Sequence, residues 1–227
     1  NGTILWSWHL WFTDTPKDQL YVNSVGTFTV QDRNLGATRA DRGTGDEWKD
    51  AKGVLYQWGR KDPFVGVGDL STGKAASVAG VVMTTSEGLM TVAKSVESPT
   101  VFAENNGSWT DSSDKLWDRD KTMYDPCPAG YQVMSFDSSM ILFADLGESV
   151  EQDSANSGIT ANGYWFPYTG YWKYSSSSRS SDADNGFYWS STHQIRDEEI
   201  GYYCVAKYSK ISSLSTTYDS KGSAMAI

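Results

Sequence analysis

Tyr124-Asp-Pro-Cys-Pro-Ala-Gly-Tyr-Gln-Val133 is the stretch whose reading decides how the rest of the chain is divided. Pro126 and Pro128 hold φ at about −65° and each removes a backbone donor, so residues 125–128 fit neither a helix interior nor a central strand. Gly130 permits a sharp turn, and Tyr131-Gln-Val133 alternates like the start of a half-buried strand. Cys127, set between two prolines, reads as a structural residue of a rigid corner. The residues before this corner, 1–123, read as a β-rich, long-looped part. Residues 124–227 read as a more compact α+β part.

The totals fit that division without forcing two domains. A chain of 227 residues buries a real core without disulfide staples. Ten Trp, 13 Tyr and 8 Phe, with 21 Gly, favour strands and turns over helices. A net charge of −9 opposes non-specific binding to nucleic acid or anionic membrane. No apolar run reaches the roughly 18 residues of a membrane-spanning helix. Two cysteines set no redox compartment by themselves, although the acidic, aromatic-rich, Ser/Thr/Gly-looped composition suits an exported protein. The first residues carry neither Met nor a signal-like pattern, so the chain is expected to be the C-terminal part of a longer or processed protein.

Outward from the corner, Ile4-Leu-Trp-Ser-Trp-His-Leu-Trp-Phe12 has large apolar groups on both faces and predicts a strand buried on two sides. His9 within it reads as a satisfied core histidine, since no Cys, His or paired carboxylate lies nearby in sequence to share a metal. Residues 26–31 alternate and predict a second strand. The turn Asp32-Arg-Asn-Leu-Gly36 follows, with Asp32 and Asn34 placed to bond local backbone. Residues 53–63 begin as a strand and close on a turn. Gly68-Asp-Leu-Ser-Thr-Gly-Lys-Ala75 nearly matches a phosphate-binding loop, but Ala75 replaces the hydroxyl that would reach Mg²⁺, so it reads as a plain loop.

Residues 79–85 predict a short strand, residues 89–97 a strand or one helical turn before Pro99, and residues 102–120 a loop punctuated by Trp109 and Trp117. The aspartates at 111–125, and Asp182-Ala-Asp-Asn-Gly186, match no regular calcium loop, so no metal site is expected. Residues 138–146 carry a helical apolar pattern stopped by Gly147. Residues 186–192, 200–208 and 222–227 predict three more strands. The aromatic segment Gly163-Tyr-Trp-Phe-Pro-Tyr-Thr-Gly-Tyr-Trp-Lys-Tyr174 precedes a Ser-rich low-complexity loop.

Five of these motifs, in this order, carry a resemblance: Asp32-Arg-Asn-Leu-Gly-Ala37, Tyr56-Gln-Trp-Gly-Arg-Lys-Asp-Pro63, Tyr124-Asp-Pro-Cys-Pro-Ala-Gly130, Phe166-Pro-Tyr-Thr-Gly-Tyr171 and Tyr188-Trp-Ser-Ser-Thr192. Together they resemble the Fibrobacter succinogenes-type major paralogous domain of Bacteroidetes surface and fimbrial-tip proteins. The resemblance implies a single C-type-lectin-like domain over residues 1–227, related to the sulfatase-modifying-factor fold. That fold is α+β, mainly antiparallel strands with long loops and one or two short helices. It also implies a cell-surface, outer-membrane or extracellular location, with fimbrillin-type subunits as possible partners. Members of the family commonly end with an Arg-Cys-Val-like sequence, so the resemblance implies that Cys127 pairs with a residue beyond Ile227. Cys204 is read as a buried free thiol, with a Cys127–Cys204 disulfide as the alternative. Trp189, in the Tyr-Trp-Ser-Ser motif, is assigned with Cys127 and Gly130 to the structural set.

Function is weighed between three classes. A binding module for host or bacterial glycan or protein draws on Trp165, Tyr168, Tyr171, Trp172 and Tyr174, since flat aromatic faces stack on sugar C–H groups. Of these, Tyr171, Trp172 and Tyr174 flank the Ser-rich loop and are the ones expected to be exposed. Lectin-type calcium binding is not expected, because Ser190 and Ser191 follow Trp189 where carboxylate and amide ligands would be needed. An enzyme, formylglycine-generating-like or glycan-hydrolysing, is the weaker reading. Neither Cys127 nor Cys204 has the basic neighbours of an activated thiolate, and Ser190-Ser191-Thr192-His193 runs along one strand, where adjacent residues point to opposite faces. The third class is a structural tip or cap subunit bound through strand addition or an aromatic face. The reading taken is a non-enzymatic adhesion module with no cofactor.

Overall fold

The computed structural model describes all residues except 1, 23–25, 70–73, 76–83, 106, 113, 136–149, 153–156, 162–163, 174–184, 197–199, 210–212 and 222. Residues 67–69, 74–75, 150, 152, 161, 193–196, 200–209 and 213–220 are described through their backbone only.

Frequent Gly, Pro and Ser break the chain into short strands, and the elements follow from that. In order they are β1 (Asp18–Val22), β2 (Thr27–Gln31), a 3-10 turn (Glu47–Ala51), β3 (Tyr56–Gln57), β4 (Val67–Asp69), β5 (Lys74–Ala75), β6 (Thr84–Glu87), α1 (Val92–Glu97) and β7 (Val101–Glu104). Then come β8 (Val150–Gln152), β9 (Gly158–Ala161), β10 (Tyr164–Pro167), β11 (Asn185–Arg196), β12 (Ile200–Ser209), β13 (Ser213–Ser220) and β14 (Ala224–Met225). The described strand pairings are antiparallel except β6 with β7, and an isolated bridge from Tyr188 to Ala226 is also parallel. The architecture is thus one of small, mainly antiparallel sheets with very little helix. The helix expected at 138–146 lies outside the described residues.

Several expectations change on contact with the structure. Residues 4–12 form no strand, and Leu5, Trp8, Leu10 and Phe12 are 70–84% exposed. Among the described residues, no strand pairs with this segment. Side chains pin it instead: the Trp11 indole donates to the Ala37 carbonyl at 2.9 Å, and the Lys61 ammonium donates to the Ser7 carbonyl at 3.0 Å. From Ser7 onward, covered and exposed residues alternate, the signature of an extended chain lying on a surface. The loop expected at 68–75 has paired flanks, β4 with β5. Residues 89–97 settle as α1, capped by the Thr91 hydroxyl accepting the Lys94 amide. Residues 131–133 are irregular rather than the start of a strand.

Short strands leave many backbone groups without a ladder partner, and indole N–H groups take up the slack. Trp58 donates to the Ser190 carbonyl at 3.0 Å, and Trp189 returns the link by donating to the Tyr56 carbonyl at 2.7 Å. Trp109 donates to the Trp58 carbonyl, and Trp117 to the Tyr124 carbonyl. All four tryptophans are buried, none more than 3% exposed. They join Leu35, Tyr56, Val133, Phe187 and Met225 in one core, so residues on both sides of the 124–133 corner share it. Loop tryptophans at 109 and 117 are therefore core residues.

Candidate functional site

The corner is built around one carboxylate. The Asp125 side chain has no solvent exposure. One oxygen accepts the Cys127 amide at 2.9 Å and the Lys121 ammonium at 2.8 Å, and the other accepts the Val133 amide at 2.9 Å. Lys121 also donates to the Cys127 carbonyl at 2.7 Å. Gly130 sits at φ +88°, a region a residue with a Cβ enters at a cost. The prolines set the dihedrals, Gly130 turns the chain, and Asp125 ties both ends.

Two hollows lie beside this corner. The larger, of about 580 Å³, opens beside the β1–β2 hairpin and the start of β11, with Cys127, Gly130 and Tyr131 on one wall and Trp165, Phe166 and Pro167 of β10 on another. Phe28, Val30 and Met134 give it apolar lining, and Gln19, Gln31, Asn34 and Gln132 supply amides. Tyr131 is held by donating its hydroxyl to Asp18, and the Tyr188 hydroxyl donates to the Pro167 carbonyl at 2.9 Å.

Two arginines of this cleft, Arg33 and Arg39, carry their own counter-charges. Arg33 contacts Asp14 at 2.5 Å and Asp32 at 2.8 Å, and those hydrogen bonds raise its already high pKa further. Arg39 contacts Asp41 at 2.6 Å and Glu47 at 3.3 Å. A ligand here meets aromatic faces and amides more than free charge. That chemistry suits uncharged polar ligands with apolar faces.

The aromatic residues singled out from sequence divide. Trp165 is half-buried and lines the cleft. Tyr168 is fully buried with Tyr21 and Ile159, its amide bonded to the Ser157 carbonyl, so it presents no face to a ligand. Trp172, expected to be exposed, is 2% exposed: its indole donates to the Val65 carbonyl at 2.7 Å and its backbone bridges Ala224. Tyr171 is half-buried against Phe187, with ring centroids 4.4 Å apart. Tyr174 lies outside the described residues. Tyr131, Gln19 and Gln132 were missed, and the signal was slight: an aromatic directly after a glycine turn.

Cys127 is a free thiol, and burial pushes its pKa well up, with Asp125 adding to the shift. It is therefore a thiol rather than a thiolate at neutral pH. Cys204 and His193 belong to the backbone-only strands. Ser190 and Ser191 are both buried at an irregularity of β11, where Trp189 faces Val205 but His193 faces Tyr203. Among the described residues, no group of three or more His, Cys, Asp or Glu is placed to hold a metal ion. No described helix is long and apolar enough to cross a membrane. No family model, curated protein or solved structure matches this chain.

Proposed function

We propose that this chain is a non-enzymatic binding module of a bacterial cell-surface or fimbrial protein, of C-type-lectin-like kind, recognising glycan or protein without a lectin-type calcium site. The observation that carries the reading is the cleft between the corner and β10. Trp165 and Tyr131 offer it aromatic surface, amide side chains share the lining, and Arg33 and Arg39 are internally paired. Such a surface gains from stacking and hydroxyl hydrogen bonds and asks no charge of its ligand. The test is a glycan and peptide array probed with the intact chain, with and without a calcium chelator. Binding that survives chelation and is lost in Trp165→Ala supports the proposal. Strictly calcium-dependent binding contradicts it.

A second reading, a structural tip or cap subunit with no ligand of its own, is favoured by the exposed apolar row Leu5, Trp8, Leu10 and Phe12. Exposed rows of this kind mark contact surfaces. Co-purification with fimbrillin-type subunits, weakened by Leu10→Lys, would support that role.

A further inference from the structure

The corner has a second side. Asp125, Pro126 and Pro128 line a separate hollow of about 330 Å³, closed on its other side by Trp6, Ser7, Trp8, His9 and Trp11. Leu35 lines both hollows, so the corner and this residue act as the partition between them. The volume is at the low end of the roughly 300–1,000 Å³ of small-molecule sites.

The charges around this hollow are spent on one another. Lys61 and Asp62 contact at 2.8 Å, each side chain 7% exposed. The Ser7 hydroxyl lies between them, 2.5 Å from Asp62 Oδ1 and 2.5 Å from Lys61 Nζ. Asp125 is neutralised by Lys121. The Trp6 ring is already covered by the Lys61 ammonium, 4.4 Å from its centroid, so an added cation would have to displace it. An added anion would meet Asp125, and the Lys61 on this lining is already paired with Asp62.

What stays available is neutral. Trp8 stands at the rim, 77% exposed, an unusual place for a large apolar ring. Trp11 is fixed by its indole bond to Ala37. Among the described residues no hydrogen bond engages the His9 ring or the Tyr56 hydroxyl. Burial lowers the pKa of His9, with Asp62 opposing, so its ring is neutral at pH 7 and offers one donor and one acceptor. Burial raises the pKa of Tyr56, so its hydroxyl keeps its proton and donates.

We infer that this hollow is a binding subsite for a neutral carbohydrate ring, stacked on Trp8 and hydrogen-bonded by His9 and Tyr56. The subsite is separate from the cleft and does not depend on what the cleft binds.

The experiment titrates the intact chain with neutral methyl glycosides and the matching methyl glucuronide at millimolar concentration. Ligand-observed NMR and tryptophan fluorescence read the binding. Trp8→Ala and His9→Gln probe the hollow, and Trp165→Ala probes the cleft. Trp8 is exposed, so its variant should keep the parent's thermal midpoint. The expected result is saturable binding of a neutral glycoside, weakened about tenfold in Trp8→Ala and His9→Gln and retained in Trp165→Ala. The glucuronide should bind no better than its neutral counterpart. Failure of every neutral glycoside to bind, or equal binding by parent, Trp8→Ala and His9→Gln, overturns the inference. Binding lost only in Trp165→Ala also overturns it while leaving the cleft reading intact. A Trp8→Ala variant that changes self-association but not glycoside binding would make this face a protein contact and overturn the inference too.

Discussion

The carboxylate of Asp125 accepts the amide of Val133, eight residues further along the chain, at 2.9 Å. Val133 is fully buried in the tryptophan core, so this bond fastens the end of the corner to the centre of the molecule. The same carboxylate takes the Cys127 amide and the Lys121 ammonium. The corner is thereby a rigid wall, with the cleft on the side of Cys127 and Gly130 and the smaller hollow on the side of Pro126 and Pro128.

Replacing this carboxylate should be costly. Asp125→Ala leaves two amides and a lysine contact unanswered, and removing the acceptor from such a buried set costs about 3–5 kcal/mol. Urea unfolding should show a lower midpoint with the slope unchanged. A variant within 1 kcal/mol of the parent would mean that the bonds do not hold the corner, an error bound at about the precision of such extrapolations.

Two glycines separate backbone strain from crowding. Both Gly130 and Gly59 have positive φ, +88° and +85°. A Cβ on Gly130 meets nothing within 4 Å, whereas one on Gly59 comes within 2.8 Å of the Leu116 side chain. Gly130→Ala should cost about 1–2 kcal/mol from backbone conformation alone. Gly59→Ala should cost more, because Leu116 is itself buried and has little room to yield. Thermal melts of the two variants check the order.

Lys52 predicts a pH dependence. It is 4% exposed, and burial lowers its pKa to about 8, with Lys49 adding to the shift. In the unfolded chain it titrates at about 10.4. Between those values the unfolded state binds the proton and the folded state does not, so stability rises with pH across that window. Below about pH 8 the lysine is charged in both states and its burial penalty is in full force. Lys52→Met should therefore stabilise the protein at pH 7 by about 1–3 kcal/mol, with the advantage shrinking as pH climbs towards 10. Chemical denaturation of both proteins across this range measures it.

Cys127 should resist alkylation. Its raised pKa leaves almost no thiolate at pH 7.5, and the thiolate is the reacting form. Iodoacetamide should label Cys127 far more slowly in the folded protein than in urea, as peptide mass spectrometry would report. Equal rates would contradict the half-buried, protonated thiol.

What the sequence made legible follows from how local each signal is. The corner was readable because Pro126, Pro128 and Gly130 act on their own dihedrals. β2 was readable from alternation, and the first half of β11 from its run of strand-forming aromatic residues. The 4–12 segment misled because a run of apolar residues on both faces looks the same whether a core or solvent covers it. Trp109 and Trp117 sit in irregular chain and still belong to the core, since their burial depends on carbonyls far off or several residues away. The cleft gathers Gln19, Tyr131 and Trp165 from three separated stretches, and no spacing rule connects them. Among the described residues, Trp165 alone of the chosen aromatics lines it. Trp172, chosen for the loop beside it, is instead held inside by Val65.

The account rests on the cleft as the place where ligand binds. Its most direct test is a calcium-free glycan and peptide array comparing the parent chain with Trp165→Ala and Tyr131→Ala, each first checked for an unchanged fold by circular dichroism. The account predicts chelator-resistant binding by the parent that falls about tenfold or more in both variants. Parent binding that both folded variants retain in full would contradict it.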